Sequence, residues 1–130
     1  MLQTIEHSRQ RAAQRRARSD AATRAFGPFL DTIAIPLVRQ VASILKAENF
    51  TFTVFTPGGS VRLMSDRSAE DFIELTLDTS GDDPQVVGHT SRSRGRRVVQ
   101  SERALGAPES LSEEEVLEFL LDAVEGFVER

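Results

Sequence analysis

Two histidines, His7 and His89, are the only side chains in this chain that ordinarily titrate near neutrality. His89 falls in a weakly apolar run with the pattern of a strand, where an imidazole is more often a hydrogen-bonded structural group than a general base. Asp82-Asp83, after Gly81, puts two adjacent carboxylates in a turn but lacks the alternating oxygen ligands of an EF-hand. Pro57-Gly58-Gly59-Ser60 has neither the lysine nor the following helix of a phosphate-binding loop, so a plain hairpin turn accounts for it. Ser65 and Ser68 lack the glycines of a nucleophile elbow. Asn49-Phe50-Thr51 matches a glycosylation sequon, which matters only in a secreted chain. There is no cysteine, hence no thiolate nucleophile, no Cys-ligated zinc and no disulfide framework. The expectation is a protein that is not an enzyme and holds neither metal nor cofactor.

Arginine is the more informative residue. Only Lys46 among the 16 basic residues is a lysine. The guanidinium fork binds carboxylates and phosphates through two parallel bonds, which an ammonium cannot do. The charge also lies in blocks. Residues 1–25 carry a net +4, residues 66–83 a net −6, residues 92–103 a net +4 and residues 109–130 a net −7. Arg9, Arg11, Arg15, Arg16 and Arg18 in the first block, with Arg92, Arg94, Arg96 and Arg97 in the third, are the candidate anion-binding or partner-binding residues. The competing reading is that they are solvated or pair with this chain's own acids, and that a GC-rich genome explains the scarcity of lysine.

The elements that position these residues follow from periodicity. Residues 1–25 hold no proline or glycine and are rich in helix formers, which predicts a long helix with thin apolar content. Leu2 and Ile5 start it, then Ala13, Ala17, Ala21 and Ala25 follow at spacings of four; the heptad fails at Arg9 and Arg16, so a coiled coil is not expected. Phe26-Gly27-Pro28 predicts a break. Leu30, Ile33, Leu37, Val41, Ile44 and Leu45 then mark a second, core-facing helix over 29–47, kinked or divided near Pro36. From Phe50 the period becomes two. Strands are predicted around 50–54, 61–63, 73–77, 85–93 and 96–104, with turns at Gly58-Gly59, residues 80–84 and Arg94-Gly95. Ser110 followed by Glu113 reads as a capping box for a C-terminal helix, whose apolar face runs from Val116 to Val128.

The resulting architecture is a single α+β domain. Two N-terminal helices precede a five-stranded antiparallel meander, and a C-terminal amphipathic helix packs on the same face of the sheet as the second helix. A chain of 130 residues is long enough to fold without a staple. No apolar stretch approaches the length needed to span a membrane and no secretory h-region opens the chain, so a cytoplasmic setting without a membrane partner is expected. The functional expectation is an interaction or accessory protein that self-associates or joins a larger assembly through its arginines. The alternatives are a nucleic-acid-binding module contacting phosphates through the same residues, and a small-ligand domain with a pocket between helix and sheet. The acidic balance, pI near 5.2, and the lack of Tyr and Trp for base stacking weigh against nucleic acid.

Overall fold

The computed structural model describes residues 2–128, with side chains from Thr4 onward. The Leu2 side chain, at the start of the predicted first helix, and Glu129 and Arg130, at the end of the acidic block 109–130, lie outside the described residues.

Helix α1 (Leu2–Phe29) does not end at Phe26-Gly27-Pro28. It runs through Pro28 into a π turn (Leu30–Ala34) and on into α2 (Ile35–Ala47), making one continuous helical run. The predicted break fails because tertiary packing outweighs the one bond that Pro28 removes. Phe26, Phe29 and Leu30 are buried, with the two rings stacked 5.9 Å apart. Pro36 produces the predicted discontinuity in another form. The π turn, closed by the Ile35 N–H donating to the Leu30 carbonyl, widens the helix before the proline. Pro36 then occupies the first turn of α2, directly after the widened turn, where its ring and missing N–H meet the preceding turn at its loosest point. Because the run is unbroken, it is long and apolar enough by length and composition to cross a membrane, contrary to the expectation above. Its buried residues from Phe26 to Leu45 belong to the core cluster.

Asn49 stops α2. It adopts a left-handed φ of 70°, its N–H donates to the Lys46 carbonyl and that of Phe50 to the Leu45 carbonyl, which satisfies two orphan carbonyls. Strands β1 (Phe52–Phe55), β2 (Val61–Ser65), β3 (Phe72–Asp78), β4 (Gln85–Arg94) and β5 (Arg97–Gly106) form an antiparallel meander in sequential order. Gly58 and Gly59 take positive φ between β1 and β2, as the turn there requires. Gly95 does so at the β4–β5 tip, the first of its two loop positions.

One face of the sheet, carrying Val61, Leu63, Ile73, Leu75 and Val86, packs under Leu37, Val38, Val41 and Leu45 of α2 and Val116, Phe119 and Leu120 of α3 (Glu113–Val128). This is the predicted α+β architecture. Two details differ. Ile44 is exposed at the edge of the α2 stripe, and Leu121 and Val128 of α3 face solvent while Phe119 takes a core place. The capping box sits two residues later than predicted. Ser112 Oγ accepts from the Glu115 N–H at 3.2 Å, and the Glu115 carboxylate accepts from the Ser112 N–H and hydroxyl. Ser110 instead donates to the Ala107 carbonyl in the preceding turn.

Candidate interaction surface

The structure divides the nine candidate arginines into three places. α1 joins the core only from Ala22 onward. From Thr4 to Arg18 every side chain except Ala12 is exposed, so about 22 Å of helix stands clear as an arm. Arg11, Arg15 and Arg18 share one face of the arm, at spacings of four and three. That face meets the β3–β4 turn, where Arg15 Nη1 lies 3.5 Å from Asp82 and Arg18 Nη1 lies 3.5 Å from Asp83. Both pairs are solvent-exposed and contribute little to stability. Arg9 and Arg16, seven residues apart, share a different face, roughly 100–180° round the helix from Arg15 and Arg18. Among the described residues no carboxylate lies within 4.0 Å of either.

Arg94, Arg96 and Arg97 cluster at the hairpin tip and are exposed. They also have no carboxylate within 4.0 Å among the described residues. The arm meets the far end of β4. At about 3.3 Å per residue, β4's ten residues put roughly 30 Å between the two basic clusters, so they do not make one surface.

Arg92 is different. It is half-buried and turns inward against α3, lying over Gly126 where a side chain would collide with its guanidinium. It helps to line an open groove of about 390 Å³ between the hairpin and α3. Arg103, the last residue of the basic block at 92–103, forms the groove's other cationic wall. It stacks 5.0 Å over the Phe119 ring and lies 3.4 Å from Asp122. No sequence signal marks Phe119 or Asp122 as its partners, because the contact depends on how α3 crosses the hairpin. β4 and β5 extend beyond the helical layer, and eight of β5's ten residues are exposed.

The opposite face of the sheet is open. Arg62, Glu74, His89 and Glu102 lie in register across β2 to β5. Arg62 donates to Glu74 at 2.9 Å and lies over the Phe72 ring at 4.4 Å. His89 meets the edge of that ring and contacts the Gln100 amide at 3.1 Å. His89 is thus a member of a cross-strand polar row. His7 is exposed on the arm. Among the described residues no group of three or more His, Asp or Glu is placed to hold a metal ion.

No protein-family model, curated protein or solved structure gives a match to this chain.

Proposed function

We propose that this is a non-catalytic interaction protein whose copies associate through the arginine-rich arm of α1, leaving the arginine tip of the hairpin for an acidic partner. The observation that carries the reading is the arm itself. About four turns of helix stand clear of the core, with two arginines on a face that no acid of the same copy approaches within 4.0 Å among the described residues. An isolated polar helix of that length is marginal in water, and a partner surface stabilises it. The chain also supplies the opposite charge, on the exposed side of α3. The test is the mass in solution at low and at high salt. Association at low salt that weakens as salt screens it supports the reading. A monomer at both concentrations overturns it.

A second reading is favoured by the clustering of Arg94, Arg96 and Arg97 at one exposed tip. Such a tip suits phosphates as well as carboxylates. DNA and RNA gel shifts at two salt concentrations test it, because no shift at low salt removes the nucleic-acid reading.

A further inference from the structure

We infer that the arm of one copy seats on the uncovered part of a second copy's helical layer, over β5 and against the outer side of α3, with the two copies exchanging arms reciprocally. The inference rests on the self-association proposed above and names the surface that receives the arm.

Three observations converge on this seat. The helical layer has an unfilled position. α2 covers β1 and β2 and α3 packs on β4, but β5 lies largely bare, with Val99 40% exposed beside the groove. A helix laid there would continue the layer. Along α3 the charges match in sign and spacing, while the groove's own cations turn to α3 rather than to the seat, Arg92 against Gly126 and Arg103 on Asp122. Glu118 and Glu125 lie seven residues apart on the exposed side of α3, with no cation within 4.0 Å among the described residues, whereas Asp122 between them is taken by Arg103. Arg9 and Arg16 have the same spacing on the arm. Either pair spans about 10 Å of helix, so the two can face each other along one line. The arm also has a narrow side next to those arginines. Ala13 and Ala17 bring no bulk and let the helix axis approach the sheet over Val99 and Ser101. Arg15 and Arg18 then stay on their own copy's Asp82 and Asp83, so seating breaks neither pair.

Reciprocity follows from size. One helix face of this length buries too little surface for a stable complex. Two seats related by a two-fold axis together approach the roughly 1,200–2,000 Å² of specific interfaces.

A charge swap tests the pairing in the full chain. Arg9→Glu with Arg16→Glu should weaken self-association on the order of tenfold or more, read by sedimentation, because it sets acid against acid. Glu118→Arg with Glu125→Arg should do the same. All four changes in one chain should restore association. All are at exposed positions, and circular dichroism checks that each variant folds. Restoration supports the seat. If the wild type associates and either pair of changes leaves its affinity intact, or if the four together do not restore it, the seat is wrong while self-association stands. A monomeric wild type removes both. The chain has no cysteine, which permits a second measurement. When an Ala13→Cys chain is mixed with a Val99→Cys chain under oxidation, a disulfide between the two different copies is expected. Absence of that heterodimer from an associating mixture overturns the seat.

Discussion

Gly88 shows how tightly one position of the sheet is fixed. It lies in β4 directly under α3, and a Cβ built there would overlap the buried Phe119 ring, which is 4% exposed and has little room to move. Gly88→Ala should therefore destabilise the fold by about 1–3 kcal/mol through overpacking, read as a lower urea midpoint with unchanged slope. Adding Phe119→Leu to that variant should recover part of the loss, and its failure to do so would place the strain elsewhere. Asp78 is the residue whose titration the fold moves most clearly. The Ser80 hydroxyl donates to its carboxylate at 2.6 Å and the Ser80 N–H at 2.9 Å, and these bonds hold its pKa below the ordinary 3.8. A depressed carboxylate contributes stability above its unfolded pKa and loses it as the pH falls through the lowered folded value. The β3–β4 turn should accordingly loosen only below about pH 3.8. Ser80→Ala removes the larger cause, so the Asp78 titration followed by NMR should move up toward 3.8.

At the scale of elements, the start of α3 separates what sequence can decide from what it cannot. Two Ser-x-x-Glu patterns overlap there, Ser110 to Glu113 and Ser112 to Glu115, and the spacing rule cannot choose between them. Tertiary packing chooses. Leu111 must be buried just before the cap and Val116 just after it, the spacing of a hydrophobic staple around Ser112. Ser112→Ala should cost about 1 kcal/mol and Ser110→Ala clearly less, compared by denaturant melts. The same limit explains the α1–α2 junction. Phe26-Gly27-Pro28 and Pro36 are both breaker signals, yet neither ends the helical run: the π turn at Leu30–Ala34 lies between the two prolines, and the buried Phe26 and Phe29 hold the first site in the helix. The strands and their order were legible because β2 and β3 alternate on a strict period of two and every connection is short. The arginines were legible as a composition. Their division among an arm, a hairpin tip and a groove was not, since it depends on the lengths of α1 and β4 and on where α3 crosses the sheet.

For the molecule as a whole, the segregated charge resolves into two surfaces with different surroundings. The acidic block at 66–83 is largely occupied within its own copy. Glu74 holds Arg62, Asp71 accepts from the Ser93 N–H and hydroxyl, and Asp82 and Asp83 meet the arm. The acids of α3 are less committed, with only Asp122 paired to a described arginine. In the proposed pairing the arm takes its counter-charge from α3 of a second copy, whereas the hairpin tip, roughly 30 Å from the arm's contact along β4, faces outward with no carboxylate within 4.0 Å among the described residues. The two surfaces should act independently. Changing Arg94, Arg96 and Arg97 together to alanine should leave stability within about 0.5 kcal/mol of wild type, as exposed positions usually do. It should also leave the solution mass unchanged while lowering retention on a heparin column at low salt. Adding Arg92→Ala should bring a measurable stability loss, because that side chain packs its stem and guanidinium against Gly126 rather than standing in solvent. Loss of self-association in the triple variant would show that the tip belongs to the contact between copies, and the separation of the two surfaces would then be wrong.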